Sequence, residues 1–343
     1  MQARARGALL GLAVGDALGT TNEGRKLPGP SFPEACDGPQ VDMRGAGPYA
    51  LRPGQVTDDT QMACALADSL KNSRAFDAPS VARAYVAWLP HAFAVGAQTK
   101  AVLQAITEGT HSDFAGKRYW LEHGQKPAGN GSLMRTAPLG VFFATDAPKR
   151  IAASLSDSAL THFDMRCQLA CVALNAAISA AIVSPSLAAP PAEMVKAAQA
   201  DLAIAASDLG RAYPEWVLVV SDAVSALKED LVKAQSTDPE LYGPDLHMLH
   251  TQGYVRVAFR LAFWELCHAT AFEPALIDIV NRGGDSDTNA AVAGALLGAR
   301  FGDAGIPERW REPVLEVNDA QRPVLSARYH PRELVTLSAS VAR

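Results

Sequence analysis

Hydrophobic and polar positions follow helical periods along most of the chain, and the alternation of a strand is scarce. The spacing predicts helices over 4–19, 58–73, 79–88, 132–144, 165–182, 192–209, 215–233, 254–270, 274–282 and 288–301. Asp77 before Ala78-Pro79 and Asp146 before Ala147-Pro148 read as helix N-caps, with proline where a first turn accepts it. Residues 20–55 are rich in glycine and proline and too long for a plain connector, so a functional segment is expected there, and 238–253 is a second one. Neither has the composition of a flexible linker, and no repeat emerges. The expectation is an all-α fold, a compact multi-helix bundle forming a single domain over 1–343.

Within the first predicted helix, Gly7, Gly11, Gly15 and Gly19 fall four apart and form one stripe. A glycine inside a helix costs ~1 kcal/mol relative to alanine. Such a stripe is explained if another backbone, or a ligand, comes very close. Gly294 and Gly298 repeat the pattern near the C-terminus, so both helices are expected at the centre of the bundle, and for Gly7 and Gly11 close packing alone is the simpler reading.

Two acidic clusters open predicted helices. Thr57-Asp58-Asp59-Thr60 precedes an apolar face on which Asp58 aligns with Met62, Leu66 and Leu70. A carboxylate on such a face is costly unless paired or bound to a cation. Gly283-Gly284-Asp285-Ser286-Asp287-Thr288 precedes a helix with Val292 and Leu296 on one face, and its glycine pair allows close backbone approach. Each cluster admits two readings, helix capping or metal binding. An EF-hand is excluded, because Ala290 stands where glycine is required and Leu296 where the bidentate glutamate belongs. Together the clusters offer four carboxylates and several hydroxyls, a hard oxygen set suited to Mg²⁺ or Mn²⁺ rather than zinc. His247 and His250 have no neighbouring cysteine to complete a softer site and read as surface residues. Four carboxylates exceed the need of one ion and suggest two.

Composition narrows the class. With 48% hydrophobic and 20% charged residues the chain is of ordinary globular type, and 343 residues bury a large core without staples. A net charge of −5 without clustered Lys and Arg predicts no nucleic-acid surface. The cysteines, Cys36, Cys64, Cys167, Cys171 and Cys267, are odd in number and lack a CxxC pair, which reads as free thiols in a reducing compartment. Arg4 and Arg6 before an apolar run mimic a signal peptide, but Asp16 interrupts the run and no cleavage site follows. No other stretch reaches the ~18 apolar residues of a membrane span. The expectation is a cytoplasmic protein without membrane contact.

Five stretches in order then resemble the ADP-ribosylglycohydrolase family: Gly11-Leu-Ala-Val-Gly-Asp-Ala-Leu-Gly19, Thr57-Asp-Asp-Thr60, Gly129-Asn-Gly-Ser-Leu-Met-Arg135, Thr161-His-Phe-Asp-Met-Arg-Cys167 and Gly283-Gly-Asp-Ser-Asp-Thr288. The resemblance spans nearly the whole chain. It implies an all-α fold with a two-metal centre, two Mg²⁺ or Mn²⁺, in a cleft. Thr57, Asp58, Asp59, Asp285, Asp287 and Thr288 match the family's metal ligands. Asn130, Gly131 and Ser132 match the loop that cradles ADP-ribose, a glycine-flanked turn suited to a diphosphate. Gly283, Gly284 and Ser286 lie in the same motif as the second ligand set and are carried over as substrate-binding, and so is His162. Tyr254 resembles the aromatic that stacks on adenine, against the alternative of a core aromatic. Glu23 matches a mobile glutamate near the metals and the scissile bond, whereas Asp16 matches an acidic position of structural role. Two departures stand out: Met165 replaces a common proline, and apart from Glu23 no family motif covers 22–52.

The implied activity is hydrolysis of the glycosidic bond between ADP-ribose and a side chain of a modified protein, with Asp58 or Asp59 accepting the water's proton and Glu23 assisting. Arginine is the preferred acceptor, because Thr161-His-Phe-Asp164 is closest to the arginine-specific branch. One rival is a prenyl diphosphate enzyme, but the DDxxD motif it needs is broken at Met62. The alternative within the family is a catalytically silent relative that binds ADP-ribose or neutralises a toxin, against which all six ligand positions are intact.

Overall fold

The helical periods are realised as α1 (Gln2–Gly19), α2 (Asp58–Ser73), α3 (Ala78–Trp88), α4 (Ala97–Thr107), α5 (Ser112–Glu122), α6 (Ala137–Phe142), α7 (Ala147–Thr161), α8 (Met165–Val183), α9 (Pro191–Ala212), α10 (Val217–Lys233), α11 (Val255–His268), α12 (Phe272–Val280), α13 (Ser286–Phe301), α14 (Glu308–Glu316), α15 (Pro323–Arg328) and α16 (Pro331–Thr336). The structure is a computed structural model and describes residues 1–27, 39–186 and 188–342. Among these no strand forms; isolated bridges such as Ala46 with Leu51 and Gly129 with Tyr254 pair the extended pieces. The fold is all-α. Cys36 and part of the glycine- and proline-rich segment lie outside the described residues.

The glycine stripe explains the centre of the molecule. Leu9, Leu10, Leu12, Val14 and Leu18 are fully buried around the whole of α1. A Cβ on Gly7, Gly11, Gly15 or Gly19 would run into the backbone of Gly298, Gly294, Ala290 and Ser286 in turn. The descending partner numbers mean that α1 and α13 run antiparallel with their backbones in contact. Gly294 and Gly298 are the reciprocal sites, facing the carbonyls of Gly11 and Gly7. The end of α1 therefore lies beside the start of α13, which sets Glu23 next to the second acidic cluster.

The two sequence-read caps form as bonds: Asp77 accepts from Ser80 N and Asp146 from Lys149 N. The helix expected over 132–144 is confined to Ala137–Phe142. Before it the chain turns, with Leu133 and Met134 N–H both donating to the Asn130 carbonyl, and Pro138 opens the helix. α4, α5 and the C-terminal helices were not anticipated, and of α7 only the start at the Asp146 cap was. In α5, Gly116 obscures the period, yet it is what lets the helix press on the Ala159 and Leu160 carbonyls of α7. α8 corrects the expectation that no second stretch has membrane-span character: it is long and apolar enough, and 83% of it is buried among the other helices. Cys64, Cys167 and Cys171 are buried free thiols.

Candidate active site

The first acidic cluster is held by a residue far away in sequence. The two oxygens of Asp16 accept from Thr57 N at 3.0 Å, Thr60 N at 3.1 Å, Thr57 Oγ1 at 2.9 Å and Thr60 Oγ1 at 2.6 Å. Asp16 thus satisfies orphan N–H groups at the start of α2, which a cap on its own chain usually does. Thr57 makes no side-chain cap bond, so the capping reading of Thr57 gives way to the partnership with Asp16. Asp58 turns into the cleft. Asp59 is buried behind it, its Oδ2 accepting from Thr57 Oγ1 at 3.0 Å and its Oδ1 without a partner.

The second cluster is positioned by its glycines. Gly283 (φ 69°) and Gly284 (φ 68°) adopt the left-handed conformation that favours glycine. Gly283 packs on the Arg25 carbonyl and Gly284 on that of Met248. Gly24 N donates to Gly284 O at 2.8 Å and Gly284 N to Arg25 O at 3.0 Å. This pairing draws Glu23 against the N-terminus of α13, where Glu23, Asp285 and Asp287 each offer a carboxylate oxygen within 4.8 Å of the others.

Both clusters open onto one cleft of about 350 Å³, within the usual range for small-molecule sites. Its acidic end holds Glu23, Asp58, Asp285, Asp287 and Thr288, and its neutral end Asn130, Gly131 and His162. Asn130 Nδ2 joins the ends by donating to Asp285 Oδ2 at 2.7 Å. A Cβ on Gly131 would meet His162 Cε1 at 2.9 Å and Thr99 Oγ1 at 3.0 Å. Sequence reasoning missed Tyr49, Gln98, Thr99, Met134 and Gln252, which also line the cleft. Gly96 before an apolar run could have signalled α4 and with it Gln98 and Thr99; Tyr49 carries no sequence signal.

Five sequence-assigned residues sit differently from expectation. Ser286 is fully buried, donating to Gly19 O at 2.7 Å, and Ser132 is buried against Ser158 Oγ at 2.8 Å. Their hydroxyls serve the packing, Ser286 from the first turn of α13 and Ser132 from the turn that precedes α6. Gly283 and Gly284 pack on the Arg25 and Met248 carbonyls and are not among the residues that line the cleft. Tyr254 also differs, since its neighbours Gln252 and Gly253 line the cleft while its hydroxyl accepts from Arg166 Nη1 at 3.0 Å. Arg166 is in turn held by Asp164.

The electrostatics are one-sided. No ion pair among the described residues includes Asp16, Glu23, Asp58, Asp59, Asp285 or Asp287. Burial, and then Asp285, pushes the Glu23 carboxyl up to about 7. Burial raises Asp16 to about 6 against the hydrogen bonds it accepts. Asp58 and Asp59 stand well above the ordinary range through burial and then Asp16, and Asp287 through burial and then Glu23. His162 is pushed down to about 3 by burial and then Arg135, so its imidazole is neutral. Clustered carboxylates without a cation are the arrangement that a divalent ion relieves. The buried, unpartnered Asp59 Oδ1 and the all-oxygen donor set fit Mg²⁺ or Mn²⁺.

The comparisons agree with this geometry. The family model for ADP-ribosylglycohydrolase matches residues 1–338. The ADP-ribosylarginine hydrolase Tri1 of Pseudomonas putida (strain GB-1) is 30% identical over 91% of this chain and 74% of its own. The ADP-ribosyl-[dinitrogen reductase] glycohydrolase of Rhodospirillum rubrum is 27% identical over 90% of this chain and 88% of its own. A solved structure, an ADP-ribosylglycohydrolase-related protein complex, superposes with a TM-score of 0.70 at 29% identity and covers 99% of this chain and 97% of that one. With all-α architecture, two acidic clusters in one cleft and a family match over nearly its whole length, this chain belongs to the ADP-ribosylglycohydrolase family.

Proposed function

We propose that the protein is a divalent-cation-dependent hydrolase that releases ADP-ribose from modified arginine side chains of proteins. The observation that carries the reading is the cleft itself: four inward carboxylates without basic partners at one end, and a neutral glycine-flanked turn at the other. The arginine linkage is supported by the 30% identity to a relative named ADP-ribosylarginine hydrolase.

Thr57, Asp58, Asp59, Asp285, Asp287 and Thr288 would hold two ions of the Mg²⁺ or Mn²⁺ class. When bound, such ions supply Lewis acidity toward the ribose hydroxyls and ease deprotonation of water. The Asn130–Gly131 turn presents backbone to the diphosphate, and neutral His162 walls the same end without adding charge. Water attacks the anomeric carbon, the bond to the guanidino nitrogen breaks, and the transition state resembles an oxocarbenium ion. Asp58 or Asp59 accepts the proton of that water. Glu23, whose carboxyl lies near neutrality before a cation binds, delivers a proton to the departing nitrogen. Incubating the protein with arginine-linked and serine-linked ADP-ribosyl peptides, with and without Mn²⁺, tests the reading; cation-dependent release from the arginine-linked peptide is expected.

A further inference from the structure

Tyr49 is a cleft residue that no motif explains. It sits in a tight loop closed by Ala46 N to Leu51 O at 2.6 Å and Leu51 N to Ala46 O at 2.9 Å. Ala46 (φ 64°) and Ala50 (φ 50°) adopt left-handed backbone there, which non-glycine residues do only where the surroundings enforce it. The surroundings are the end of α1: Gly47 packs on the Thr20 carbonyl, and Thr21 Oγ1 donates to Gly45 O at 2.9 Å. The loop is thereby fastened close to Glu23. Its product is one partly exposed ring at the acidic end of the cleft, beside Glu23, Asp58, Asp285 and Asp287. The ring meets Phe93 edge to face with centroids 5.7 Å apart, and the Arg322 guanidinium lies 4.1 Å from the Phe93 centroid. Tyr49 is therefore placed by an enforced loop and an aromatic brace, not by burial in the core as Tyr85 is.

An aromatic ring that lines a cleft together with carboxylates attracts a planar cation, which stacks on its face. The neutral end of the cleft, with its uncharged imidazole and glycine turn, offers a cation nothing comparable. We propose that Tyr49 determines acceptor specificity by holding the guanidinium through which an arginine-linked substrate joins ADP-ribose. The assignment rests on the arginine reading above and names the residue that recognises the linkage. A serine-linked substrate has no such cation and gains nothing from the ring.

The test uses the full chain with Mn²⁺, the variants Tyr49→Ala and Tyr49→Phe, and arginine-linked and serine-linked ADP-ribosyl peptides, with ADP-ribose affinity measured by calorimetry. Tyr49→Ala should raise KM for the arginine-linked peptide roughly 3- to 30-fold, the range that cation–π contacts supply, while ADP-ribose affinity stays at the parental value. Tyr49→Phe keeps the ring and should stay near the parental KM. If the parent cleaves the arginine-linked peptide and Tyr49→Ala keeps its KM, the assignment fails and the arginine reading stands. An equal loss of ADP-ribose affinity overturns the assignment too, since Tyr49 would then contact the ADP-ribose moiety. A parent that cleaves only the serine-linked peptide overturns both.

Discussion

The Thr57 hydroxyl lies 2.9 Å from Asp16 Oδ1 and 3.0 Å from Asp59 Oδ2, one proton facing two carboxylates. Asp16 also takes the Thr60 hydroxyl and the N–H groups of both threonines. It is the strut that fixes the start of α2, and therefore the aim of Asp58 and Asp59. Asp16→Ala should cost about 2–4 kcal/mol of stability with a divalent cation present, from a lost cap and buried donors left unpaired. Asp16→Asn, which keeps one acceptor oxygen, should cost less. Urea unfolding of the three proteins gives the order directly, and equal midpoints would show that Asp16 is no strut.

Metal-free protein should lose stability as pH rises. Glu23 and Asp16 have folded pKa values raised to about 7 and about 6. A group raised in this way binds more protons folded than unfolded. Its stabilising contribution is present below about pH 4 and is lost as pH climbs through 6 to 7. Melting temperature in chelator should accordingly fall between pH 5 and pH 8. Saturating Mn²⁺ should raise it most at pH 8, by mass action on the ionised site. A cation effect of equal size at both pH values would contradict this.

Gly131→Val should weaken ADP-ribose without unfolding the protein. Even its Cβ would press on His162 Cε1 and Thr99 Oγ1, both on the cleft wall. The branch would occupy the space through which the turn presents its backbone. Calorimetry should give at least a tenfold weaker affinity, with melting within a few degrees of the parent. Unchanged affinity would remove this turn from the binding site.

The sequence made local rules easy to read and tertiary partners hard. Asp77 and Asp146 were legible as caps because a cap and its N–H lie three residues apart. The glycine stripe called for another backbone or a ligand; that it is a backbone, and that of α13, follows only from the antiparallel crossing. The two acidic clusters were visible as clusters. Their shared cleft depends on the pairing of Gly24 with Gly284 and on Asp16 reaching Thr57 across forty-one positions. Ser132 and Ser286 were placed in the site by motif membership, which does not reveal which way a side chain points. Tyr49 escaped notice because an enforced loop, and no periodic pattern, brings it to the cleft.

The central claim is that two carboxylate clusters and Glu23 form one cation-dependent centre for arginine-linked ADP-ribose. The most direct measurement is single-turnover release of ADP-ribose from an arginine-linked peptide at saturating Mn²⁺, for the parent, Asp287→Ala and Glu23→Ala, with Mn²⁺ and ADP-ribose affinities measured on the same samples. Asp287→Ala should lose Mn²⁺ affinity and turnover together. Glu23→Ala should keep ADP-ribose binding and fall by ~10²–10⁴-fold in rate, the usual worth of a positioned proton donor. Parental rates in both variants, or release by the parent that is indifferent to Mn²⁺ and chelator, would contradict the account.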